Sequence, residues 1–122
     1  IIYGDGEQKR SFTYIEDIVK GLNKLIDINK KGTFNFGSNQ TWSLNEVIKM
    51  IEDNLDMKAN KSHRERAIKD VDIVLPSLEL SKSILGWEPK INIEDGLKRT
   101  VQWYKEYEKE LGDINFKYEY EK

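Results

Sequence analysis

Cysteine is absent from the 122 residues, and proline occurs only twice. Without thiols the chain forms no disulfide and no thiolate metal site, which fits a reducing compartment, so a cytoplasmic location is expected. No apolar run approaches the roughly 20 residues a membrane-spanning helix needs, and no leader pattern opens the sequence; no membrane association is expected. The net charge is only −2, so there is no overall basic field to attract nucleic acid, and an anion would need a local cluster. Asp5, Asp17, Asp70 and Asp72 lack the spacing of a metal-binding loop, and no metal is expected. The one histidine, His63, has no carboxylate or serine placed beside it by the sequence, so it reads as a surface ring rather than a general base. Repeats, low-complexity stretches and interdomain linkers are missing too.

What is present is a polar globular composition, 38% hydrophobic and 34% charged, of a size that makes one domain. The first residue is isoleucine, and "IIYG" reads as a strand already under way, so the chain is expected to start inside a larger protein. Ile1–Tyr3 form a short strand broken by Gly4-Asp5-Gly6. Arg10 follows in a short polar loop, before an extended stretch from Ser11 to Tyr14. Thr13 with Glu16 makes a capping box for a helix carrying Ile15, Ile18, Val19, Leu22, Leu25 and Ile26. "TFNFG" at 33–37 predicts a strand. Ser43 with Glu46 makes a second capping box, for a helix with Leu44, Val47, Ile48, Ile51 and Leu55 on one face. Residues 57–69 are polar and irregular, with room for one strand, and "DIVLP" at 72–76 predicts another. A short helix from Leu78 to Leu85 stops at Gly86. "WEPK" is a turn, and Asn92 caps a long helix that points Ile93, Leu97, Val101, Tyr104 and Leu111 inward. The expected fold class is α/β with an α+β character, helices packed on short strands. Residues 1–111 would form the domain and 112–122 an aromatic, charged tail.

Three blocks carry a family resemblance: "IIYGDGEQKRSFTYIEDIVKGL", "FNFGSNQTWSLNEVI" and "LSKSILGWEPKINIEDGLKRTVQW". In this order and spacing they resemble the carboxyl-terminal portion of the extended short-chain dehydrogenase/reductases, the NAD(P)-dependent nucleotide-sugar epimerases, 4,6-dehydratases and decarboxylases. The resemblance implies the smaller, substrate-binding part of a Rossmann-type two-domain enzyme. NAD(P) would be held by the missing Rossmann domain and none by this chain. Gly4 and Gly6 lack the third glycine of a dinucleotide cradle, and the next helix starts too far away. The family's Y-x-x-x-K signature is met only by Tyr118 and Lys122 in the charged tail, which reads as coincidence. No catalytic residue is therefore expected here, and the chain alone is expected to be inactive.

The same resemblance names the binding residues. Arg10 would grip the diphosphate with a two-pronged guanidinium. Tyr3 would lie near the base. Counting back from Ser81-Lys82 puts Lys69 where relatives place a second diphosphate arginine, with Arg66 as the substitute after a small loop shift. Glu79 stands where many relatives hold the ribose with aspartate, and Asn39 approaches the ligand or the domain interface. The best single reading is a UDP-sugar 4-epimerase. A 4,6-dehydratase or a UDP-glucuronate decarboxylase is the alternative, and a non-catalytic binding or scaffold module is the alternative of another class. The expected partners are a nucleotide sugar, the Rossmann domain and further copies in a homo-oligomer. Trp42, Trp87 and Trp103 read as packing residues.

Overall fold

Ser43 opens the helix that the sequence specifies most completely. Its hydroxyl accepts from the Glu46 amide at 3.2 Å while the Glu46 carboxylate accepts from the Ser43 amide at 2.7 Å, so two otherwise orphaned donors are satisfied reciprocally. The computed structural model describes residues 1–26, 28, 31–66 and 71–112. In chain order the elements are β1 (Ile2–Tyr3), β2 (Lys9–Arg10), α1 (Ile15–Ile26), β3 (Trp42–Ser43), α2 (Leu44–Leu55), β4 (His63–Arg64), β5 (Ile73–Val74), α3 (Glu79–Leu85), α4 (Ile93–Glu106) and α5 (Glu108–Gly112). Helices thus pack on very short strands, the α/β arrangement with α+β character that the sequence predicts. The tail 112–122 lies, beyond Gly112, outside the described residues.

Two small sheets organise the strands. In one, β1 runs parallel to β4, with Ile2 opposite His63 and Tyr3 opposite Arg64. In the other the order is β3-β2-β5, antiparallel between β2 and β3 and parallel between β2 and β5. Helix α2 packs along α4, and α1 beside α3.

The tightest packing surrounds Trp87, which is 3% exposed. Its ring meets Phe36 edge-on at 4.7 Å between centroids, a favoured aromatic geometry. Gly21 of α1 lies against the same pair: a Cβ there would come within 2.6 Å of the Phe36 ring, so only glycine admits the approach. Asp17, 1% exposed, completes the joint. Its main-chain carbonyl accepts from Trp87 Nε1 at 2.8 Å, and its carboxylate accepts from the amides of Lys90 and Ile91 at 2.8 Å each. The aspartate thus ties the first turn of α1 to the turn that precedes α4.

Several expectations are corrected. The extended segment is Lys9–Arg10, not Ser11–Tyr14. Beyond Arg10 the Ser11 hydroxyl takes over, accepting from the Ser38 amide at 2.8 Å and donating to the Ser38 carbonyl at 2.9 Å. Residues 33–37 join no ladder among the described residues; the Asn35 carbonyl instead accepts from the Ser81 hydroxyl. The Thr13–Glu16 capping box does not form. Glu16 instead pairs with Arg99 at 3.4 Å and Lys20 at 3.9 Å, and the buried Thr13 hydroxyl has no hydrogen-bond partner among the described residues. The long last helix breaks at Tyr107, which leaves helical geometry at φ −104°, ψ 20°. Tyr104 points outward, 56% exposed, where its ring stacks edge-on against Trp103.

Candidate functional site

The glycine turn after β1 builds an open cleft. Gly4 and Gly6 take φ of +85° and +84°, a left-handed backbone that glycine adopts without penalty. Between them the Asp5 carboxylate accepts from the Glu7 amide at 3.0 Å, a local turn bond typical of aspartate. Asn45, in the first turn of α2, clamps the turn from outside, donating to the Asp5 carbonyl at 2.9 Å and to the Glu7 carboxylate at 2.6 Å. The chain then enters β2, whose Lys9 amide donates to the Asp72 carbonyl at 2.7 Å. The cleft is open to solvent and has a volume of about 510 Å³, with Asp5, Glu7, Gln8, Lys9, Arg66 and Asp72 on its walls.

Arg66 is the cation that the turn holds in place. Its Nε donates to the Tyr3 carbonyl at 3.2 Å and its Nη2 to Gln8 Oε1 at 2.7 Å, with the Asp5 carboxylate at 3.9 Å. Gln8 closes the loop by donating to the same Tyr3 carbonyl at 3.2 Å. The Arg66 side chain is 24% exposed, so a planar donor group is fixed at the cleft wall without being sealed from solvent. Nearby, His63 Nδ1 lies 2.8 Å from the Gly4 carbonyl and the Gly4 amide donates to the Arg64 carbonyl at 2.8 Å, so the whole turn hangs on β4.

Of the residues singled out by the sequence, Tyr3 and Arg66 are brought into direct contact. Arg10 lies not in a loop but in β2, opposite Trp42 and Val74. Its guanidinium folds back on the strand, donating through Nη1 to the Lys9 carbonyl at 2.8 Å and the Asp72 carbonyl at 3.4 Å. Asn39 sits in the exposed turn after Ser38, and Glu79 begins α3 with an exposed side chain; neither lines the cleft. Lys69 lies outside the described residues.

Gln8 and Lys9 were not singled out from the sequence, and no local signal marks them, since their importance comes from Arg66 and Asp72 far along the chain. The cleft brings the Arg66 guanidinium and the Lys9 ammonium together with the carboxylates of Asp5, Glu7 and Asp72. Among the described residues no cluster of histidine, aspartate and glutamate could hold a metal ion, and no helix is long and apolar enough to cross a membrane.

With this geometry in view, the sequence model described as GDP-mannose 4,6 dehydratase matches residues 1–100. The chain belongs to the GDP-mannose 4,6 dehydratase family. A UDP-glucuronate 4-epimerase of Thermodesulfobacterium geofontis is 38% identical over 106 residues, covering 86% of this chain and 33% of its own length. UDP-glucuronic acid decarboxylase 2 of Arabidopsis thaliana is 33% identical over 105 residues, covering 86% of this chain and 24% of its own length. Among solved structures, the UDP-glucose 4-epimerase of Thermotoga maritima with UDP-glucose superposes with a TM-score of 0.81 at 27% identity, over 88% of this chain and 35% of that one. The chain therefore spans about a quarter to a third of the length of these relatives, and the family and fold expected from the three sequence blocks are borne out.

Proposed function

We propose that this chain is the nucleotide-sugar-binding part of an NAD(P)-dependent epimerase or dehydratase, with a UDP-sugar 4-epimerase as the best single assignment. The observation that carries the reading is Arg66, held at the wall of a 510 Å³ cleft by Tyr3 and Gln8. A fixed guanidinium suits two phosphate oxygens, and charge-assisted bonds of this kind contribute about 1.5–3 kcal/mol each. In this reading Arg66 and Lys9 face the diphosphate, and Arg10 backs them from β2. Lys69 remains the second candidate for the same contact, and Asn39 and Glu79 would serve the sugar or ribose side. Decarboxylase and 4,6-dehydratase chemistry are the alternatives, in keeping with the names of the relatives.

The described residues do not fit a dinucleotide. The space beside each turn glycine is filled by this chain's own side chains, Arg66 at Gly4 and Asn45 at Gly6. The turn runs into a strand, and the helix that follows it in sequence begins only at Ile15, whereas the glycine turn of a dinucleotide site opens directly onto a helix N-terminus. NAD(P) would accordingly be bound by the part of the enzyme that this chain does not span.

The test is calorimetry on the natural polypeptide with UDP-glucose, UDP and free glucose. UDP and UDP-glucose should bind, free glucose should not, and Arg66→Ala should weaken both nucleotides about ten- to a hundredfold. Unchanged affinity in Arg66→Ala would remove the diphosphate from this cleft.

A further inference from the structure

Arg66 meets the glycine turn with one edge of its guanidinium. The group is planar and carries its N–H donors in a fixed fork, so the Nε hydrogen and one Nη2 hydrogen point along the same side edge. That edge is taken up, because Nε donates to the Tyr3 carbonyl at 3.2 Å and Nη2 to Gln8 Oε1 at 2.7 Å. None of the described residues accepts a hydrogen bond from Nη1 or from the second Nη2 hydrogen. Among them the only carboxylate within 4 Å of the guanidinium is Asp5, at 3.9 Å from Nη2. The end edge of the fork is therefore left over at the wall of the cleft.

Gln8 decides which edge that is. The Tyr3 carbonyl accepts from both Arg66 Nε and Gln8 Nε2, each at 3.2 Å, which fills its two lone pairs. The Gln8 amide thus donates at one end and accepts at the other, and three groups close a ring of hydrogen bonds. A carboxylate at this position accepts but cannot donate, methionine does neither, and asparagine is one methylene too short. Both acceptors on Arg66 are also neutral, so they orient the cation without cancelling its charge. This matters because Asp5, Glu7 and Asp72 line the same cleft as Lys9 and Arg66. The surroundings are not positive overall, and an anion is held there only by donors aimed at it.

We propose that Gln8 is the positioning residue that turns Arg66 end-on to the ligand, so that Nη1 and Nη2 together grip two phosphate oxygens. The inference rests on the diphosphate reading and deepens it, by naming the edge of the guanidinium that the phosphate meets and the residue that selects it. A single hydroxyl or carbonyl engages only half of that edge. The contribution of Gln8 therefore falls on phosphate-bearing nucleotides and not on the nucleoside.

The experiment is calorimetry on the natural polypeptide with UDP and with uridine, for wild type, Gln8→Met, Gln8→Glu, Arg66→Ala and the double variant Gln8→Met/Arg66→Ala. Gln8→Met should weaken UDP about five- to twentyfold and leave uridine unchanged. With Arg66→Ala already in place, Gln8→Met should add nothing, since no guanidinium remains to be aimed. Gln8→Glu supplies a pH profile. A protonated carboxyl donates and accepts as the amide does, and its ordinary pKa is about 4.3. The gap in UDP affinity between Gln8→Glu and wild type should therefore narrow as pH falls from about 8 to about 4.5, while the Gln8→Met gap stays constant. Wild-type UDP affinity in Gln8→Met, with Arg66→Ala weakened, overturns the positioning role alone. Equal losses for UDP and uridine, additive losses in the double variant, or a Gln8→Glu gap that ignores pH overturn it in favour of a structural role in the turn. Unchanged UDP affinity in Arg66→Ala removes the diphosphate reading and this inference with it.

Discussion

The indole nitrogen of Trp87 donates to the main-chain carbonyl of Asp17 across 2.8 Å and 70 positions of sequence. The aspartate carboxylate answers by accepting two amides from the residues just beyond, Lys90 and Ile91. Main chain and side chain of one residue thus hold both ends of the segment that leads from α3 into α4.

Removing that carboxylate should cost more than one hydrogen bond, because two partly buried amides lose their acceptor at once. Asp17→Ala should lower unfolding stability by about 2–5 kcal/mol, and Asp17→Asn, which keeps an acceptor oxygen, by about half as much. Urea denaturation followed by Trp87 fluorescence measures both. A loss below 0.5 kcal/mol in Asp17→Ala (the ~0.5 kcal/mol typical of neutral surface changes) would show that water replaces the carboxylate.

Acid should strike at Glu52. The Ala59 amide, Lys61 and Lys58 hold its carboxyl down at about 2, from an ordinary value of 4.5, and the contacts to Ala59 and Lys61 are 3.0 and 3.2 Å. A carboxyl whose folded pKa is depressed contributes stability that is fully present above its unfolded value and lost as pH falls through the folded one. The contribution should therefore be constant above about pH 5.5 and disappear between about 4.5 and 2. Urea midpoints of wild type and Glu52→Gln, measured from pH 7 down to 2, should start apart and converge in that window. Parallel curves would show that Glu52 is not the group responsible.

What could be read from the sequence was whatever a few neighbouring residues decide. Ser43 and Glu46 bond each other over three positions, Asn92 caps the Asp95 amide in the same way, and Gly86 ends α3 in a left-handed turn. Thr13 and Glu16 have the same pattern as Ser43 and Glu46, yet Arg99, 83 positions away, draws the carboxylate off. The strand expected at 33–37 meets a similar distant partner, since Ser81 donates to the Asn35 carbonyl from 46 positions away. The site divides along the same line. Tyr3 was named by the family resemblance and Arg66 only as the substitute for Lys69 after a loop shift, but the bond between them spans 63 residues, and Gln8, the third member, is invisible until the fold brings it there. Arg10 was expected to reach into the cleft from a loop, and β-pairing with Trp42 and Val74 turned it into a strand residue.

The 122-residue chain by itself should self-associate. Ile15, Val19, Leu22 and Ile26 of α1 face water, and Trp103, Tyr104 and Tyr107 are exposed on α4 and just past its end. Sedimentation at rising concentration should show species heavier than 14.4 kDa, and a dye for apolar surface should bind. Leu22→Lys should reduce both signals if α1 provides the contact. A strictly monomeric, dye-free wild-type chain would contradict this expectation.

Gly4 should prove as sensitive as Arg66 itself. At φ +85° a side chain is strained wherever it points, and a Cβ there would stand 2.5 Å from Arg66 Nε. Left-handed backbone costs a non-glycine residue about 1–2 kcal/mol, and the clash adds displacement of the guanidinium from Tyr3 and Gln8. Gly4→Ala in the natural polypeptide should therefore weaken UDP binding about tenfold, equivalent to about 1.4 kcal/mol, alongside a loss of stability from the backbone. A double-mutant cycle separates the two effects. With Arg66→Ala already in place there is no guanidinium to displace, so adding Gly4→Ala should leave UDP affinity where Arg66→Ala alone put it, while the stability loss persists. Additive effects on affinity would mean that the turn backbone meets the nucleotide itself and that Arg66 is not the means by which Gly4 acts.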